Sequence, residues 1–161
     1  MNFKKIIIAI TILSLFFCGC IDKNPENISP GEKKCEHCKM DIAQMNYHSQ
    51  IISPKGRKFH FDSIECMISY WLENEHRTEK LFVRNFSDFK NSKEWLEISN
   101  TFFLKSDKLI SPMSANISSY KNLEGANKAK DEYGGKILDL SELKQYIRTD
   151  WKKELSEKTK H

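Results

Sequence analysis

The sequence predicts an α+β fold made of two similar small β-β-α(-β) halves packed together. Residues 35–90 run from a hairpin pattern through an amphipathic helix to a further strand. Residues 91–150 repeat that order more faintly, and the paired glycines Gly134 and Gly135 stop the second helix ahead of a strand. A chain of 161 residues suits one ordinary domain or two very small ones, and is too short for separate cofactor and substrate domains.

The first 19 residues read as a lipoprotein signal peptide. Lys4 and Lys5 precede the twelve-residue apolar stretch Ile6 to Phe17, which is short for a transmembrane helix and stands at the extreme N-terminus. Gly19 then precedes Cys20, an arrangement that resembles bacterial lipoprotein signals and makes Cys20 the expected lipid attachment site. Cys18, behind bulky Phe17, is the poorer candidate. The other possibility is an uncleaved anchor, and with either the rest of the chain faces an oxidising, extracytoplasmic space, the periplasm. Losing Lys4 and Lys5 lowers the formal charge of +4 by two, to +2. With its charges interspersed, such a chain lacks the basic stripe that a nucleic-acid backbone requires.

Residues 20–34 hold two prolines and few apolar side chains, so they read as a flexible tether. Tyr47 to Ile52 reads as a strand, "SPKG" as a type I turn, and Lys58 to Phe61 as the returning strand. In that strand Phe59 and Phe61 share one face while Lys58 and His60 share the other, where a histidine is ordinarily solvated. Ile64, Met67, Ile68, Trp71 and Leu72 form a core-facing helical stripe; Asp62 with Glu65 is a capping-box-like start, with Ser63 as the other candidate cap. Leu81 to Phe86 is the next strand.

In the second half "TFFLKS" and "SANISSY" read as strands, and Leu123, Ala126, Ala129 and Tyr133 lie along one helical face. "KILDL" is a short strand, and a capped helix from Ser141 carries Leu143, Tyr146, Ile147 and Trp151. Residues 151–161 close the chain as a polar tail.

The chemistry lies in sulfur. Of five cysteines, discarding Cys18 and lipidating Cys20 leaves Cys35, Cys38 and Cys66, an odd number that disulfides cannot use up. Cys35 and Cys38 in "CEHCKM" have the spacing of two thiolates on one ion. Cys66 falls in a first helical turn, where unpaired N–H groups favour the thiolate. A zinc site of these three with His37, His48 or His60 is chemically complete. Thioethers point to something softer, because they add little to zinc but suit monovalent copper. Met40 lies two positions after Cys38, Met67 adjoins Cys66, and Met113 sits in an isolated "SPM" corner.

Each of these residues also has an ordinary role. Met67 lies on the apolar stripe, Asp62 suits a helix cap, His76 sits in a charged helix end, and Cys35 with Cys38 can form a disulfide.

"CEHCKM", "KFHFDSIECM", "SPM" and "DEYGGKIL", in this order behind a lipoprotein signal, resemble the NosL family of nitrous oxide reductase accessory lipoproteins. Lys39 and Ser114 stand where the family pattern has glycine. The resemblance implies a fold of two related halves, akin to the small metal-binding module of organomercurial lyases. It implies a copper chaperone and not an enzyme, with Cu(I) held by Cys35, Cys38, Met40, Cys66 and Met113. Asp62, Met67 and His37 are further candidates, and a structural Zn(II) is compatible with the family. The implied partners are nitrous oxide reductase, an ABC transporter and a periplasmic accessory protein. Two other functions compete: a zinc-stabilised, extracytoplasmic protein-interaction lipoprotein, and a thiol-disulfide enzyme. The second is disfavoured because such cysteine pairs normally open a helix directly after a buried strand, whereas this one follows a polar segment.

Overall fold

A computed structural model describes residues 21–74, 80–88 and 93–158. The expected signal peptide, Cys20, His76 and His161 lie outside them. Strands β1 (Ser49–Ile52) and β2 (Lys58–Phe61) form the anticipated hairpin, with Ser49 opposite Phe61 and Ile52 opposite Lys58. The turn closes with the Gly56 N–H donating to the Ser53 carbonyl at 2.9 Å; Gly56 has φ +77°, a conformation that favours glycine.

Helix α1 (Ile64–Asn74) follows directly, and Ser63 caps it: its hydroxyl accepts the Cys66 N–H at 3.3 Å. Ile64, Met67 and Ile68 are completely or almost completely buried, each worth about 1.5–3 kcal/mol of hydrophobic burial. Strand β3 (Lys80–Arg84) returns beside β1, and β4 (Trp95–Glu97) extends the antiparallel sheet to the order β2-β1-β3-β4.

The second unit repeats the pattern. Strands β5 (Phe102–Lys105) and β6 (Ile117–Tyr120) pair, helix α2 (Leu123–Tyr133) follows, and β7 (Lys136–Leu138) returns beside β5, giving the order β6-β5-β7. In both units the first strand is central, flanked by its hairpin partner and by the strand after the helix. Gly135 (φ +102°) makes the second return possible, because a Cβ there would lie 2.1 Å from the Lys105 carbonyl oxygen. On α2 the expected apolar face is real at Ala126 and Ala129, which are buried, whereas Leu123 is exposed.

One core joins the units. Cys35, Ile51, Phe61, Met67 and Ile68 of the first cluster with Phe103, Ile117 and Leu138 of the second, and with Leu143, Ile147 and Trp151 of the C-terminal helix. That helix begins one step earlier than expected: Asp139, not Ser141, is its cap, and Asp139 and Glu142 form a reciprocal capping box. It runs as α3 (Leu140–Tyr146), a π turn (Ile147–Trp151) and α4 (Lys152–Lys158). The polar tail expected from 151 is therefore helical through Lys158, because Trp151 is buried and Leu155 packs against the core.

Two further differences concern long-range pairing. Strand β4 belongs to the first sheet although it falls beyond residue 90, since it pairs with β3. Residues 21–34, expected as a flexible tether, lie across the outer face of that sheet. Asp22 meets Lys58 at 2.8 Å, the Glu26 side chain meets His60 at 2.9 Å, the Glu26 carbonyl accepts from Gln50, and Asn27 accepts from the Trp95 indole. His60, expected to be solvated, is consequently buried and stacks on His48 with the ring nitrogens 3.1 Å apart. Strand alternation alone could not reveal that a polar segment covers the second face.

Candidate metal centre

The stretch 35–40 forms a tight knuckle. The Cys35 N–H donates to the Met40 carbonyl at 2.8 Å and the Lys39 N–H to the Cys35 carbonyl at 3.0 Å, while Lys39 takes φ +65°. The Glu36 N–H donates to the His60 carbonyl at 2.9 Å, docking the knuckle on the end of β2, directly before Asp62 and the start of α1.

Cys35, Cys38, Asp62 and Cys66 thereby come together, each offering one ligand atom within 4.8 Å of the other three. Donors about 2.3 Å from one tetrahedral ion stand about 3.8 Å apart, so this set fits a single ion of zinc or monovalent copper size. Cys35, Cys66 and Asp62 are buried and Cys38 is half-buried. All three cysteines are free thiols, so the Cys35–Cys38 disulfide weighed above is not formed.

The electrostatics divide the thiols. The Cys66 thiol donates to Cys35, which lowers Cys35 to about 7, helped by the backbone N–H groups of Asp62 and Cys38. Cys66 is raised by that same donated hydrogen bond, then by burial and by the Asp62 carboxylate. Burial pushes Cys38 up to about 12, and its thiol donates to Asp62 Oδ2 at 3.3 Å. Cys35 is thus the thiol that gives up its proton most readily, and a metal binding here would have to displace the protons of Cys38 and Cys66.

The methionines separate. Met67 is completely buried in the core, its ordinary role. Met113 is half-buried against the core cluster that contains Cys35 and Cys66, as is Met45, which the sequence pattern did not single out. Met40 is 52% exposed. His37 is not among the four converging residues; burial lowers its basicity, and its Nδ1 is buried without a partner.

The Met113 loop is fastened from two sides. Glu65, fully buried on α1, accepts from the Ser111 hydroxyl and, at 3.4 Å, from the Ala115 N–H. The Trp151 indole donates to the Met113 carbonyl at 3.1 Å. Ser114 takes φ +60°, so both positions that carry glycine in the pattern described above, Lys39 and Ser114, hold left-handed backbone here. Glu65 looked like half of a capping box; its position beside Cys66 was the one available hint of a buried role. Burial raises its carboxyl to about 7.

Fold and pocket together define a two-unit α+β protein whose converging thiols suit a soft or borderline metal ion. The family model for NosL matches residues 27–147, and the chain belongs to the NosL family. Among solved structures, the chain is similar to the crystal structure of the copper chaperone NosL from Shewanella denitrificans. The two are 19% identical with a TM-score of 0.65, over 75% of this chain and 96% of that one, so they share a fold. No curated protein matches the chain.

Proposed function

We propose that the protein is a non-enzymatic Cu(I) carrier, anchored through a lipid on Cys20 to a membrane facing the periplasm, that supplies copper to nitrous oxide reductase during assembly of its copper centres. The observation that carries the carrier reading is the convergence of Cys35, Cys38 and Cys66 from two remote segments, with the Met113 loop fastened to the same helix as Cys66. Cuprous ion accepts two to four soft donors, so three thiolates with a neutral thioether to exchange can bind it firmly and still release it. Met40, exposed on the knuckle, is suited to meet an incoming or departing ion first. Family membership supports delivery to nitrous oxide reductase, with an ABC transporter and a periplasmic accessory protein as the further partners.

The test is competition of the reduced protein with a chromogenic Cu(I) chelator. The expected result is uptake of one equivalent per chain; failure to withdraw copper from a chelator of ordinary strength rejects the carrier role.

Asp62 favours a second reading, a structural Zn(II) held by Cys35, Cys38, Asp62 and Cys66, because a carboxylate oxygen suits zinc better than Cu(I). Met113→Leu separates the two: it weakens Cu(I) binding and leaves Zn(II) binding unchanged. Metal analysis of protein purified without oxygen gives the occupant directly.

A further inference from the structure

Beside the Cys35 knuckle lies an open cleft of about 790 Å³, with His60 among its lining residues. Its walls carry Lys33, Lys34, Lys39, Lys55, Arg57 and Lys58 against only Asp22, Glu26 and Glu36. That surplus of three positive charges exceeds the +2 of the entire chain after residue 19. Several cations are answered locally: Lys34 by Asp41, Lys39 and Arg57 by Glu36, Lys58 by Asp22 and Glu26. Among the described residues Lys33 and Lys55 are in no ion pair and are exposed.

The same cleft is lined by Ile21. Ile21 lies so close to Gly56 that a Cβ added there would meet its Cγ2 at 2.6 Å, and the next residue, Asp22, is paired with Lys58. The chain is therefore held at the cleft wall at Ile21, which directly follows Cys20 in the sequence.

We propose that this basic cleft is a docking surface for anionic phospholipid headgroups, seating the domain directly on the membrane that carries its anchor. For its placement the proposal rests on the lipid at Cys20 proposed above. An anchor one residue from the cleft leaves no slack between bilayer and domain, so headgroups stand within reach of these side chains. The surface potential of an anionic leaflet then attracts each of them. An acidic protein surface is the competing occupant, and the position of Ile21 favours the lipid.

The test uses residues 20–161, which contain every described element, with Cys20→Ser so that no lipid can be attached. Co-sedimentation with phosphatidylcholine vesicles is compared with and without phosphatidylglycerol. The expected result is binding to the anionic vesicles alone, released when salt is raised from about 0.1 M to about 1 M and the screening length falls from about 10 to about 3 Å. Lys33→Gln with Lys55→Gln lowers partition about 30-fold, whereas Lys128→Gln with Lys153→Gln, exposed on α2 and α4, changes it by less than about threefold. Equal binding to both vesicle types, or equal losses for the two pairs, overturns the proposal. Capture by polyglutamate without vesicle binding also overturns it and assigns the cleft to an acidic protein. Mass spectrometry of full-length protein tests the lipid on Cys20 separately, so that failure of the anchor is distinguishable from failure of the cleft.

Discussion

The Cys38 thiol donates to Asp62 Oδ2 across 3.3 Å, joining the knuckle to the start of α1 over a sequence separation of 24 residues. Around that contact the other two thiols already lie within ligation range, so a metal entering the pocket displaces protons more than it rearranges backbone.

Replacing Cys66 with serine removes a buried sulfur donor and the thiol hydrogen bond that lowers Cys35. Affinity for Cu(I) should fall by more than the roughly 10–100-fold typical of losing an outer-shell partner. His76→Ala should leave it unchanged. Chelator competition on both variants checks the assignment, and equal effects would reject it.

Glu65→Ala leaves the Ser111 hydroxyl and the Ala115 N–H without their buried acceptor. The expected cost is about 1–3 kcal/mol in urea unfolding. Hydrogen exchange should quicken at Ala115 while the exchange of β1 amides keeps its native pattern, and Cu(I) affinity should fall although every thiol is intact. Unchanged exchange at Ala115 would show that Glu65 does not hold the Met113 loop.

Lys39 and Ser114 bear side chains in left-handed backbone, which costs about 1–2 kcal/mol per residue without compensation. Part of any gain on changing to glycine is lost to the freer unfolded chain. Lys39→Gly and Ser114→Gly should therefore each raise stability by between zero and about 1 kcal/mol. Gly135→Ala should lower it by more than about 2 kcal/mol, because its Cβ would collide with the Lys105 carbonyl. Urea midpoints at constant m-value distinguish these signs.

Burial, then the charges of His60 and Arg84, lower His48 to about 2, so it stays neutral in the folded protein. The unfolded chain takes up that proton below pH 6.5 and the folded one does not, so the His48 contribution falls by up to about 1.4 kcal/mol for each pH unit below that point. His37 and His60 act in the same direction, whereas Glu65, raised to about 7, opposes them as pH falls from 7 towards 4.5. In metal-free protein between pH 6.5 and 5, His48→Gln should remove up to one proton from the unfolding linkage. An identical pH slope in wild type and variant would refute the assignment.

Much of this was legible in local sequence. "SPKG" marks the hairpin, the Ile64–Leu72 stripe marks α1, Gly134 and Gly135 mark the second return, and the thiols that converge are those the cysteine count isolates. What escaped depends on distant partners. Ser63 and Asp62 were equivalent caps until the knuckle docked beside Asp62, and a Glu three residues after Asp62 fits a capping box and a buried strut equally well. His60 alternates correctly with Phe59 and Phe61, yet its face is covered by Glu26, a residue of a polar segment with no periodicity to announce it. Strand β4 is three residues long, too short to declare its sheet.

The indole of Trp151 reaches the carbonyl of Met113 from almost the far end of the polypeptide. Shortening the protein ahead of that tryptophan, a cut that a polar terminus invites, would unclasp the thioether from behind. A worker who trimmed the gene for crystallisation and then found metal binding weakened would search for the fault among cysteines that had never been touched.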